Sequence, residues 1–326
     1  MNSRNTVKTA NNLFLVTVLI SLCVNIFVSL LSVKGISLHI IANLLVSQII
    51  ILLPGLIYYV CITKDDAPFK IYKKIKPITV LLLIVFTWLI LPLTTAANVF
   101  SQIFTKNEVM SISGNVLSLP LGVAVLIIGI LGPFSEEFVF RGLIYNSLKN
   151  RTKRYIASGI ISALYFGLMH MNFNQFCYAF LLGIIFAIIN EVLDSTWPSF
   201  VCHAVVNTQN VLLLYGMNMV FTKYSGQSVA GYYDEMGNQA LTNNKVIIVI
   251  MFVVLLIFSL VTTTLAALLL YGIAHIEGKA DRIRLVFNKN ILETKEKVVT
   301  ISGYIAITVC IFVMFVLEPL TKIIKK

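Results

Sequence analysis

Long apolar runs, separated by short polar and mostly basic stretches, recur along the whole chain. A helix needs roughly twenty apolar residues to cross the hydrocarbon core of a bilayer. That template predicts nine helices, at about 13–33, 37–61, 77–98, 116–147, 154–171, 175–194, 197–215, 246–274 and 299–319. The expected fold class is all-α, a polytopic transmembrane helical bundle. Pro54, Pro92, Pro120 and Pro133 fall inside these spans or near their starts, where neighbouring helices or water can satisfy the carbonyls they free. Three regions follow: N-terminal helices over 1–115, a core over 116–215, and an external loop with C-terminal helices over 216–326. The first run has no recognisable small-residue cleavage site and reads as a retained helix rather than a signal peptide.

Composition strengthens the membrane reading, because 58% hydrophobic residues against 12% charged lies outside the soluble range. The net charge of +11 does not indicate nucleic acid, since the basic residues fall in short clusters between apolar runs. Seventeen Lys and Arg fall in the N-terminal segment and the connections 62–76, 148–154, 195–196 and 275–298, against seven in the other connections and the C-terminal tail. This bias predicts a multi-pass cell-membrane protein with a cytoplasmic N-terminus and an external C-terminus. Lys70–Lys76, basic and aromatic, reads first as a topology determinant and second as a segment lying on anionic headgroups. Cys23, Cys61, Cys177, Cys202 and Cys310 show no paired spacing and read as small packing residues. Cys202 beside His203 is a poor thiol pair, because adjacent helical residues diverge by about 100°.

Candidate chemistry begins at Ser135–Gly142, where Glu136, Glu137 and Arg141 end an apolar run. Charged groups in such a place are costly and mark function. Residues four apart share a helix face, so Glu137 can pair with Arg141 while Glu136 projects elsewhere and stays free. Two more pairs at the same spacing follow, Phe166 with His170 and His203 with Asn207; the other two of the four His, His39 and His275, sit near the ends of apolar runs. Glu136 and His170 are about equally far from the basic hairpin tip at 149–154, roughly 21 to 24 Å at 1.5 Å per residue, which puts them level with each other. His170 then falls towards the far end of its helix, and a hairpin projecting a turn or two beyond the membrane restores the depth. Trp197, an interfacial aromatic, draws His203 to the cytoplasmic side and suggests a wet funnel.

Glu136-Glu137-x-x-x-Arg141, Phe166-x-x-x-His170 and His203-x-x-x-Asn207, in that order, resemble the three motifs of the CAAX protease and bacteriocin-processing (CPBP, or Abi) family of intramembrane endopeptidases. Leu182-Gly183, Asn190-Glu191 and Ser195-Thr196-Trp197-Pro198 resemble the segment that connects those motifs. The resemblance covers about 120–210 and makes 116–215 the expected catalytic core. It implies hydrolysis of a peptide bond in a membrane-associated or lipidated peptide or protein: a lipidated C-terminal peptide, a leader-bearing bacteriocin or signalling peptide, or a membrane protein's flank.

Amide hydrolysis needs an activated water and donors for the oxyanion. The expected roles are Glu136 as general base with His170 positioning the water, and His203 and Asn207 as oxyanion donors. Glu137 and Arg141 form a structural pair, and Phe140 and Phe166 an apolar wall. Zinc held by Glu136, His170 and His203 is the metal alternative, since catalytic zinc takes such ligands and keeps one open position. A His-x-x-x-His pair is absent, and the balance falls towards no obligatory metal. The competing class is a transporter or bacteriocin-immunity protein using the same groups as a relay, although no inverted repeat is visible.

Overall fold

The structure, a computed structural model, describes residues 6–63, 73–236, 245–287 and 296–320. Residues 70–72 of the basic stretch, and parts of the 216–245 and 275–298 connections, lie outside the described residues. Within them, every element is helical and nine helices are long: α1 (Val7–Val33), α2 (Ile40–Tyr58), α3 (Pro77–Ser101), α4 (Leu121–Thr152), α5 (Tyr155–Met169), α6 (Phe173–Leu193), α7 (Trp197–Ser225), α8 (Lys245–Ile276) and α9 (Ile301–Leu320). The expected polytopic helical bundle is therefore what the chain forms. Seven of the nine are long and apolar enough to cross a membrane among the described residues; α5 and α7 are the exceptions. The 15 residues of α5 reach only about 22 Å at 1.5 Å per residue. Helix α7 has the length, 29 residues, but carries His203, Asn207, Gln209 and Asn210. Exposed Val246, Ile250, Val254, Ile257 and Leu260 give α8 an apolar face suited to lipid.

Helix α4 is widened twice, by π-helical segments at Val125–Leu131 and Phe138–Tyr145 that flank the two glutamates. Pro133 has no amide for the Gly129 carbonyl, which gives the first widening a local cause. The carbonyls freed by the second are taken by side chains. Ser162 donates to Phe140 O at 2.7 Å, and Asn146 Nδ2 donates to Arg141 O and Gly142 O at 3.0 Å each. Such substitutes are what non-α backbone needs at membrane depth.

Helices α4 and α5 meet in a two-residue turn, with Lys153 left-handed at φ 57°. Helix α5 then packs on α6 through small residues. A Cβ on Gly183 would lie 2.8 Å from Ala163 Cα and 2.9 Å from Arg141 Nη2, so only glycine allows this approach. Two apolar clusters result, one built around Phe14, Phe140, Tyr165 and Phe166, the other around Phe86, Phe186, Ile189 and Cys202. Arg141 bridges them, its guanidinium carbon 4.2 Å from the Phe166 ring centre and 5.4 Å from that of Phe186.

Connections that the charge pattern placed on one side meet at one end of the bundle. Glu191 bonds Lys149 at 2.5 Å, Arg282 at 2.8 Å and the Tyr145 hydroxyl at 2.9 Å. Asp194 pairs with Lys73 and lies 3.2 Å from Arg282. Lys279 donates to Leu193 O at 2.6 Å, and Glu277 accepts from the Lys76 backbone amide at 2.8 Å. Asn190 ties down the start of α7, donating to Ser199 Oγ at 2.7 Å and accepting from the Ser199 amide at 3.0 Å. The connecting segment singled out in the sequence is thus a brace between helices.

Candidate active site

Glu137 and Arg141, one turn apart on α4, pair at 2.8 Å with both side chains wholly buried. Burying two charges is tolerable only when they are paired. Arg141 gains the facing rings of Phe166 and Phe186, and α6 leaves it room at Gly183. Glu137 Oε1 also meets His203 Nδ1 at 3.0 Å, a partner the sequence spacing did not assign to it. A carboxylate held by arginine can only accept, so Nδ1 carries the hydrogen and the Nε2 edge is left for other work. That edge faces Glu136, with Nε2 3.6 Å from Oε2. Adjacent glutamates, rotated apart on one helix, therefore address the two nitrogens of a single imidazole.

Glu136 looks the other way into a cavity of about 250 Å³, shared with His170, Phe140, Phe166 and Met169. At about 30 Å³ per water it has room for several. His170 is the cap residue of α5. The helix stops there because Met171 turns left-handed at φ 54°. Asn172 then starts α6, accepting from the Gln175 amide at 2.8 Å and donating to His170 O at 3.1 Å. A non-glycine residue held left-handed beside a functional group is local strain of the kind that clusters at sites. Phe166 organises both imidazoles: its ring centre is 5.4 Å from that of His170 and 5.6 Å from that of His203, each edge-on.

The predicted residues are thus brought together in two layers. Glu136, His170, Phe140 and Phe166 line the cavity, while His203 reaches it through Glu136 and is itself buried. Asn207 donates to Ile128 O at 3.2 Å, a carbonyl inside the first π-helical segment. The remaining wall comes from α1 and α2: Ser21, Asn25, Ser47, Gln48, Ile50 and Ile51. Sequence reading passed over these polar residues. Their signal was present, since Asn25 and Ser47-Gln48 interrupt runs otherwise long and apolar.

A zinc site on Glu136, His170 and His203 does not fit this arrangement. Among the described residues no three His, Cys, Asp or Glu side chains converge as ligands. No step below is routed through a metal.

Residues 118–209 match the family model described as type II CAAX prenyl endopeptidase Rce1-like. The chain is also 28% identical over 89 residues to the "Putative membrane peptidase YdiL" of Bacillus subtilis (strain 168), a match covering 27% of this chain and 36% of that protein. The matched part is therefore about a third of the length of that curated relative. No solved structure matches. The matched segment contains Glu136, Glu137, Arg141, Phe166, His170, His203 and Asn207, and the resemblance read from the motifs stands: residues 118–209 are similar to the type II CAAX prenyl endopeptidase Rce1-like family.

Proposed function

We propose that the protein is an intramembrane endopeptidase that hydrolyses a peptide bond in a membrane-associated or lipidated peptide by a glutamate- and histidine-activated water. The observation that carries this reading is a carboxylate without a cation of its own, Glu136, which shares with His170 the lining of one cavity that has room for several waters. Its neighbour Glu137 meanwhile absorbs Arg141 and His203. No Lys or Arg lines the cavity. A substrate's terminal carboxylate would find no counter-charge there, which favours an internal bond.

In the proposed reaction Glu136 removes a proton from water as the water oxygen attacks the carbonyl carbon. His170, on the facing wall, orients the water and donates to the developing oxyanion. The proton held at Glu136 passes to the amide nitrogen as the C–N bond breaks, leaving a carboxylic acid and an amine. Throughout, His203 is fixed by its Nδ1–H bond to Glu137, and its Nε2 lone pair can accept from the Glu136 carboxyl only while Glu136 holds the proton taken from water. Asn207 has one amide hydrogen beyond its bond to Ile128 and is the weaker contributor. The lipidated substrate class rests on the family description, and the cytoplasmic N-terminus on the charge bias.

General-base and oxyanion contributions are each worth roughly 10²- to 10⁴-fold. Glu136→Gln, His170→Ala and His203→Ala should each abolish measurable cleavage, with Asn207→Ala losing about 10²- to 10³-fold. The assay compares membranes carrying wild-type protein and Glu136→Gln for a peptide that accumulates uncut. Full activity of a stably folded Glu136→Gln variant would remove the enzyme and leave a proton relay through Glu136, His203 and Glu137. Unchanged turnover with a chelator is expected, and its loss would restore the zinc alternative.

A further inference from the structure

The cavity wall opposite Glu136 belongs to helices outside the family match, and one group on it is incomplete. Among its polar residues, Ser47 donates to Leu44 O at 2.7 Å and Asn25 donates to Ser21 at 3.4 Å. Gln48 differs. Its Nε2 donates to Ser47 Oγ at 3.3 Å, but its Oε1 is buried and has no hydrogen-bond partner among the described residues. A desolvated amide acceptor is a costly thing to leave unpaired, so its donor has to come from the cavity that Gln48 lines, from a water or from a group of the substrate that replaces it.

Position names the donor. The carboxamide lies against Gly132 of α4, where an added Cβ would come within 3.6 Å of Nε2 and 3.8 Å of Oε1. Gly132 is one helical turn before Glu136, and Gln48 and Glu136 line the same cavity. An acceptor one turn from the general base, in a cavity whose lining holds no cation, suits an uncharged N–H. The peptide backbone supplies one per residue.

We propose that Gln48, supported by Ser47, forms a subsite for the substrate backbone: its carboxamide oxygen accepts a hydrogen bond from a main-chain N–H beside the bond that Glu136 attacks. This rests on the proteolytic reading above. Helix α2 thereby sets the register of the peptide, while α4 and α5 supply the chemistry.

The test uses the full-length protein in detergent and an internally quenched peptide chosen from a library by wild-type, Glu136-dependent cleavage. A series of the same peptide is made in which each backbone N–H in turn is replaced by an ester oxygen. One ester should lower wild-type kcat/KM by about five- to tenfold, the worth of one neutral hydrogen bond. Gln48→Leu should lose the same factor on the parent peptide, mostly through KM, and nothing further on that ester. Gln48→Met, closer in length, replaces it if Gln48→Leu folds poorly. Wild-type kcat/KM in the variant, or losses that multiply at every ester position, would overturn the subsite while leaving proteolysis intact. A wild type that cleaves no library peptide would sink both.

Discussion

Single residues in this site work in pairs whose members cannot be removed singly. Arg141 neutralises Glu137, and Glu137 fixes the tautomer of His203, so a change at Arg141 should be felt first as lost stability. Arg141→Ala leaves a buried carboxylate without its cation, and breaking such a pair costs about 3–5 kcal/mol. Arg141→Lys should recover little, because an ammonium cannot reproduce the planar stack on Phe166. Lower abundance and a lower melting temperature for both variants are the expected result. Normal melting with turnover alone lost would instead make Arg141 a catalytic group. The pairing itself was legible in the spacing of Glu137 and Arg141. The attachment of His203 to Glu137 was not, because 66 residues separate them and no periodicity links one helix face to another.

At the scale of the element, the site depends on how closely α6 approaches α5. Gly183 meets Ala163 and the Arg141 guanidinium together, and a methyl group there has no flexible neighbour to displace on the Ala163 side. Gly183→Ala should therefore cost about 1–3 kcal/mol, the usual range for overpacking, with a drop in turnover as Arg141 is pushed off Phe166. A melting curve together with peptide cleavage reads both effects. Gly216, with nothing within 4 Å, is the control position where the same change should be silent for packing. The sequence presented Leu182-Gly183 only as part of a resemblance. Contact with Arg141 supplies its physical reason.

At the scale of the molecule, the bundle is braced at one end by Glu191, Asp194 and Glu277 against Lys73, Lys76, Lys149, Lys279 and Arg282. Partial burial alone would raise the Asp194 carboxyl, but its hydrogen bond from Lys73 and the charge of Arg282 outweigh burial and hold it below its ordinary range. A depressed folded value means that its contribution is present above the unfolded pKa of about 3.9 and is lost as pH falls through that value and below. Melting temperature should accordingly fall between about pH 5 and 3, and Asp194→Asn should flatten part of that slope. An unchanged slope in the variant would show that Asp194 contributes nothing to the brace. Glu191, deeper and bonded to three partners, is the stronger tie at the same end.

The amino-acid sequence by itself determined the all-helical bundle, the positions of nearly all its long helices and the pairing of Glu137 with Arg141, and it pointed to the shared depth of Glu136 and His170, which line one cavity. These follow from local periodicity and from the cost of charge in an apolar run, and both are properties of consecutive residues. Span count was less certain at α5 and α7, since apolar length says nothing about whether a helix is covered by lipid or by protein. Tertiary structure alone decided that His203 stands behind Glu136, held by Glu137, and that Asn207 serves the widened turn of α4. It also brought Asn25, Ser47 and Gln48 of the first two helices to the cavity of the fourth and fifth. Such contacts depend on which faces of distant helices meet, and the small residues that permit close approach are set by the partner helix rather than by their own neighbours in sequence.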